Sequence, residues 1–118
     1  GSELITAMAS GKVALVTAAT EGIGFAIARK LAQGGAHVVI SSRKQANVDR
    51  AVDSLTAEGL SVSGRICHVG SEEQRRALVD ETVKRFGKID YFISNAAVNP
   101  TTERIMEMSS KAVDKLVD

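Results

Sequence analysis

A second cysteine is missing, so Cys67 has no partner for an intramolecular disulfide. Neither it nor the two histidines, His37 and His68, stand in a cluster with metal-ligand spacing. A chain without disulfides suits a reducing, intracellular compartment. No apolar run approaches the roughly 20 residues that span a bilayer. The opening Gly1-Ser2-Glu3 lacks the basic-then-apolar order of a signal peptide. An excess of charge is missing too: 15 basic residues against 14 acidic ones leave +1, too balanced to imply a nucleic acid or an anionic membrane as partner. Low-complexity tracts and internal repeats are absent, and 44% hydrophobic with 25% charged residues is the composition of a packed globular protein. Gly1-Ser2 has the look of a scar left by tag removal. Residues 1–10 are therefore set apart as an extension, and 11–118 are expected to form one domain.

What is present is a strict alternation. Val13-Ala-Leu-Val16 is a short apolar strand, followed by a glycine-bearing turn and then Ile23, Ile27 and Leu31 at helical spacing. Gly34-Gly35 closes that helix, and Val38-Val39-Ile40 is a second apolar strand. Val48, Val52 and Leu55 mark a second helix closed near Gly59, and Leu60, Val62 and Ile66 alternate as a third strand. Ser71-Glu72-Glu73-Gln74 reads as a capping box opening a third helix, in which Ser71 and Gln74 exchange hydrogen bonds. Leu78, Val79, Val83 and Phe86 give that helix its apolar face, Gly87 ends it, and Ile89 to Ile93 form a fourth strand. Pro100 breaks the chain, and Ser109 or Ser110 would cap a last helix carrying Val113, Leu116 and Val117.

Apolar strands alternating with helices predict an α/β, Rossmann-like, doubly wound parallel sheet of strand order 3-2-1-4. Strand four would be left as an open edge. An uncovered edge so apolar leads to the expectation that the isolated chain self-associates or is only marginally stable.

Ligands of such sheets bind at the carboxyl ends of the strands. The first turn there is Thr17-Ala18-Ala19-Thr20-Glu21-Gly22-Ile23-Gly24. Backbone amides and the positive end of a helix converge on an anion at that place, and Gly22 and Gly24 allow a pyrophosphate to approach the main chain. The general G-x-G-x-x-G pattern is only partly met, because Ile27 stands where its third glycine belongs. Gly24 also suits close helix-to-strand packing, and a glycine turn serving architecture alone is the plainer alternative. At the end of strand two, where folds that prefer NAD place an acid for the ribose hydroxyls, this chain has Ser41-Ser42-Arg43-Lys44. The Arg43 guanidinium can fork onto a 2'-phosphate and Lys44 adds a second cation, which favours NADP(H). The plainer alternative is a solvated basic pair at the start of a helix.

The segment Thr17–Gly24 is similar to the T-G-x-x-x-G-x-G turn of short-chain dehydrogenases/reductases, and Ser94-Asn95-Ala96-Ala97 resembles their N-N-A-G. The stretches from Gly22 to Arg29, Ser41 to Gln45, Cys67 to Gly70 and Ser94 to Pro100 resemble the branch of peroxisomal NADP-dependent carbonyl and retinol reductases. The likeness runs from about Lys12 to the end and departs from the broad pattern at Ala18, Ala97 and His68, where Gly, Gly and Asp are usual. The resemblance implies cofactor contacts at Thr17, Thr20, Glu21, Gly22, Ile23, Gly24, Ser42, Arg43, Lys44, Asn47, His68, Val69, Asn95 and Ala96. It also implies a carbonyl or alcohol substrate, homo-oligomers, and a peroxisomal or cytoplasmic setting.

The family's proton-exchanging tyrosine is followed four residues later by lysine. The single tyrosine here, Tyr91, has Asn95 at that distance and lies in an apolar strand, so it reads as core. By the resemblance, the catalytic Ser, Tyr, Lys and Asn would follow residue 118, and this chain alone is expected to be inactive. Other readings fare worse. The serines have no nucleophile-elbow setting, Cys67 reads as a small buried hydrophobe, no Gly-Lys-Ser/Thr follows the turn, and the acidic residues of a receiver domain are missing. A non-catalytic NADP-binding or interaction module remains the second reading. If Arg43 holds the 2'-phosphate, Arg43→Glu weakens NADPH binding far more than NADH binding in paired titrations, and equal losses would remove that role.

Overall fold

The computed structural model describes residues 9–19, 22–68, 71–95 and 103–107 of the 118. Along the chain run β1 (Val13–Val16), α1 (Gly22–Gln33), β2 (His37–Ser42), α2 (Gln45–Ala57), β3 (Val62–Ile66), α3 (Glu72–Phe86), β4 (Tyr91–Asn95) and β5 (Glu103–Glu107). They form one sheet in the order β3-β2-β1-β4-β5. The first four strands are parallel and keep the expected order 3-2-1-4, with Leu15 opposite Val39 on one side and Phe92 on the other.

All four residues of β1 are buried, which only a central strand covered on both faces requires. One face carries Ala14, Val16, Val38, Ile40 and Ile93 against Ala28 and Ala32 of α1 and Ala51 of α2. The other carries Leu15, Val39, Cys67 and Phe92 against Leu78 and Val79 of α3. The alternation of the strands thus sorts the helices, two to one face and one to the other.

One expectation is corrected here. Strand four is not an open edge: β5 pairs with it antiparallel, Ile93 opposite Ile105 and Asn95 opposite Glu103. The main-chain groups that an edge leaves unpaired are taken up by the chain's own return, so the premise for self-association through β4 is gone. The helix marked by Ile23, Ile27 and Leu31 is α1, and the residues it buries fully are Gly24, Ala28 and Ala32. Small side chains at i, i+4 and i+8 let the helix axis approach the sheet, while Ile27 and Leu31 pack at the flank and Ile23 stays 58% exposed. Pro100 and the helix expected after Ser109 or Ser110 lie outside the described residues.

Turn chemistry matches the sequence more closely. After α1, Ala36 N–H donates to Leu31 O and Gly35 N–H to Ala32 O, the paired bonds of a Schellman cap. Asp90 was not anticipated as a structural residue. Its carboxylate accepts from Val13 N–H (2.8 Å), its own N–H donates to Val13 O (2.8 Å), and Lys88 holds the carboxylate at 3.1 Å. This clamp sets the start of β4 against the start of β1. At the same amino-terminal end, His37 lies between Ser61 Oγ (2.6 Å) and Ser63 Oγ (2.9 Å) with its ring against Phe86. Burial, and secondarily the Arg85 charge, lower its pKa below the ordinary 6.5.

Gly64 on β3 is a close approach: a Cβ there would run into Val48 Cγ1 and come within 2.8 Å of Val52 Cγ2 on α2. Both valines are stiff at χ1 and cannot swing aside at low cost. Gly64→Ala should therefore destabilise the chain by about 1–3 kcal/mol in urea titrations, by overpacking. An unchanged midpoint would show that α2 can lift off the sheet freely.

Candidate functional site

The sheet reverses its winding at β1, whose neighbours β2 and β4 lie on opposite sides, so the crevice at a doubly wound switch point opens at the carboxyl ends of β1 and β4. Thr17 and Ala19 build its floor. Thr17 N–H donates to Ile93 O and Ala19 N–H to Ser41 O, both at 3.0 Å, so the turn after β1 is bonded to both neighbouring strands. The Thr17 side chain is only 2% exposed, and the residue acts by holding the turn. Ala18 takes φ 52°, the left-handed region that glycine occupies freely. This is the position at which the resemblance expects Gly.

Helix α1 then starts at Gly22, with φ 66° and nothing within 4 Å of the place a Cβ would occupy. Apart from its chain neighbours, no described residue crowds the main chain here. Gly24 is buried against the sheet, in the packing role open to it in sequence. Exposed Ile23 offers an apolar surface at the lip of the turn.

The second wall is the end of β2. Ser41 is buried, with an Oγ that has no hydrogen-bond partner among the described residues, and Ser42 is partly buried. Arg43 and Lys44 are exposed, and among the described residues neither makes an ion pair. By contrast, Arg29, Arg65 and Lys88 are paired with Glu58, Glu81 and Asp90. Lys44 is also the N-cap of α2, in extended conformation and without a side-chain cap bond. Two cations and a helix N-terminus lacking a side-chain cap thus meet at one corner, a field that favours a polyanion. Asn47, in the first turn of α2, is partly buried beside them.

The third wall is the end of β3. Cys67 is buried at 2% exposure, as a small hydrophobe would be, and desolvation raises its thiol pKa although the Arg75 charge opposes this. Its N–H donates to Ser42 O at 2.9 Å, and the next residue, His68, is exposed. The capping box is half realised: Ser71 Oγ accepts from Gln74 N–H, but Gln74 Oε1 accepts from His68 N–H at 2.8 Å and not from Ser71. Asn95 ends β4 at this same edge. Thr20, Glu21, Val69 and Ala96 lie outside the described residues. The structure therefore gathers Thr17, Gly22, Ile23, Gly24, Ser42, Arg43, Lys44, Asn47, His68 and the backbone of Asn95 along one edge of the sheet. Sequence reasoning missed the Gln74 bond, because the S-x-x-Q spacing points equally to the ordinary reciprocal cap. Tyr91 is partly buried and packs against the core, as expected.

This edge matches a known family over nearly the whole chain, since the short chain dehydrogenase family profile covers residues 12–118. The chain belongs to the short-chain dehydrogenase family. It is 61% identical over 109 residues to human dehydrogenase/reductase SDR family member 4, covering 92% of this chain and 39% of that one. It is 57% identical over 106 residues to tropinone reductase-like 3 of Erythroxylum coca, covering 90% and 41%. The chain thus spans about two fifths of the length of these relatives. Among solved structures, an actinorhodin polyketide ketoreductase with NADPH is similar at TM-score 0.70 and 39% identity, over 72% of this chain and 33% of that one. A hydroxysteroid dehydrogenase from Escherichia coli is similar at TM-score 0.71 and 34% identity, over 74% and 36%. Among the described residues no group of His, Cys, Asp and Glu could hold a metal ion, and no helix is long and apolar enough to cross a membrane.

The left-handed backbone at Ala18 is a strain that can be relieved. Ala18→Gly should raise stability by about 1 kcal/mol, since a Cβ in that region costs roughly this much. A lower melting midpoint would mean that the alanine's restriction of the unfolded chain outweighs the strain.

Proposed function

We propose that this chain binds NADP(H) at the carboxyl edge of its sheet, as the cofactor-binding portion of an oxidoreductase acting on carbonyl or alcohol substrates, of carbonyl or retinal reductase type. The observation that carries the reading is the pair Arg43 and Lys44, exposed and without ion pairs among the described residues, where a carboxylate would favour NAD. The open main chain at Gly22 fits a pyrophosphate, Arg43 and Lys44 fit a 2'-phosphate, and Ile23 fits an apolar or planar part of the ligand. The NADPH carried by the similar ketoreductase supports the same choice.

When bound, NADPH supplies the hydride that reduces a carbonyl, and in the reverse direction the oxidised cofactor accepts one from an alcohol. The residues of this chain bind and orient. The α1 amino end offers N–H groups and the positive end of its dipole to the phosphates. Arg43 would hold the 2'-phosphate, and Asn95 would present its backbone next to the crevice. Proton transfer needs groups beyond these. Tyr91 packs against the core and is followed at four residues by Asn95, so it cannot act as the family's tyrosine. The 118 residues alone are therefore read as inactive, with the catalytic Ser, Tyr, Lys and Asn, the substrate pocket and the oligomer contacts supplied by further chain, in a peroxisomal or cytoplasmic enzyme.

The second reading, a non-catalytic NADP-binding or interaction module, makes the same binding prediction and separates on turnover by any longer form. Calorimetric titration should give NADPH binding at least about tenfold tighter than NADH, the effect of one charge-assisted contact of about 1.4 kcal/mol. An assay of the same sample with a dicarbonyl or retinal should show no oxidation of NADPH. Failure to bind both nucleotides would mean that the glycine turn is architecture, and turnover by the chain alone would overturn the half-site reading.

A further inference from the structure

Resting on the nucleotide reading above, we propose that Gln74, in the first turn of α3, is a positioning residue for the adenine end of the dinucleotide, acting through the backbone of His68. In an ordinary capping box the N3 side chain returns a bond to the N-cap amide. Here the Ser71 amide is already engaged, donating to His68 O at 2.9 Å, and Gln74 Oε1 instead accepts from His68 N–H at 2.8 Å. The N-cap bond itself, Gln74 N–H to Ser71 Oγ at 3.3 Å, remains. Both main-chain groups of His68 are thus tied to the first turn of α3. The preceding residue is tied elsewhere: Cys67 N–H bonds Ser42 O, and its side chain is buried in the core.

The chain therefore leaves the core between Cys67 and His68 with its peptide groups fixed on both sides and the imidazole exposed. No strand or helix requires this arrangement at residue 68. The His68 amide sits in an exposed setting where water could replace Gln74, so the bond contributes little to overall stability. What it determines is the direction in which residue 68 faces.

The ligand chemistry follows from position. β3 pairs with β2, so its carboxyl end lies one strand spacing, about 4.8 Å, from the end of β2. A nucleotide whose 2'-phosphate meets Arg43 carries its base on the same ribose, within reach of the neighbouring strand end at His68. A purine presents ring nitrogens and a flat π-face there, and both are read by a donor and an imidazole plane held at fixed orientation. Loosening residue 68 should weaken any ligand containing adenine while leaving the phosphate turn intact.

The test compares Gln74→Leu, which removes the acceptor, with Gln74→Glu, which keeps one and suits the positive end of the helix. NADPH and 2',5'-ADP are titrated into the full 118-residue chain, with thermal melts of the nucleotide-free proteins alongside. Gln74→Leu should weaken both ligands by about five- to tenfold, the scale of one lost hydrogen bond, with a melting temperature near that of wild type. Gln74→Glu should bind both within about twofold of wild type. Wild-type affinity in Gln74→Leu, or equal losses in the two variants, overturns the positioning role. A nucleotide-free melt of Gln74→Leu far below wild type also overturns it, making Gln74 a structural cap. If the wild-type chain binds no NADPH, the nucleotide reading itself fails, whereas binding by wild type that both variants share defeats the role of Gln74 alone.

Discussion

Every feature of the candidate site hangs on the burial of β1. Four residues, Val13 to Val16, lie in the middle of the sheet with apolar cover on both faces, so the strand has no freedom to slip or turn over. Its amino end is fixed by Asp90, which ties it to the start of β4. Its carboxyl end is fixed by two hydrogen bonds, donated by Thr17 N–H to β4 and by Ala19 N–H to β2. A turn bonded on both sides can hold an unfavourable backbone, and it does so at Ala18. The glycines that follow then meet the open side of the sheet at a defined place.

The corner formed by the ends of β2 and β3 depends on the same rigidity. Cys67 N–H to Ser42 O joins the two strand ends, and each then releases an exposed residue, Arg43 from one and His68 from the other. Burial and exposure alternate within a single residue step here. Cys67, at 2% exposure with a thiol pushed toward its neutral form, anchors the wall, and His68 is its open surface. Arg29 and Arg65 pair with carboxylates on neighbouring elements and Lys88 with Asp90 two residues on, whereas Arg43 and Lys44 make no ion pair among the described residues.

Much of this was legible in advance because it is periodic or local. Alternating apolar runs gave the order of elements and the parallel sheet, and Gly35 and Gly87 fell where helices end. The basic pair at the end of β2 was visible as the absence of an acid. Three things were not legible, each because it depends on distance through space. Ile23, Ile27 and Leu31 reveal α1 as a helix but not which residues it buries fully, since hydrophobicity is easier to read than fit; close packing selected Gly24, Ala28 and Ala32. The β5 strand, Glu103–Glu107, carries too many charges to register as an apolar strand, and it exists by pairing with β4. Gln74 carries a cap motif whose second bond was redirected, because His68 O had already taken the Ser71 amide.

The sequence by itself determined which residues are apolar and at what period, hence the α/β alternation, the strand order and the chemistry available at each turn. Those properties follow from side-chain transfer into a core and from backbone preferences, which act over a few residues. Only the tertiary structure decided which residues α1 buries fully, what covers β4, and which carbonyl each free amide reaches. Those outcomes depend on steric fit and on hydrogen-bond partners brought together from distant parts of the chain, and neither has a signature in local order.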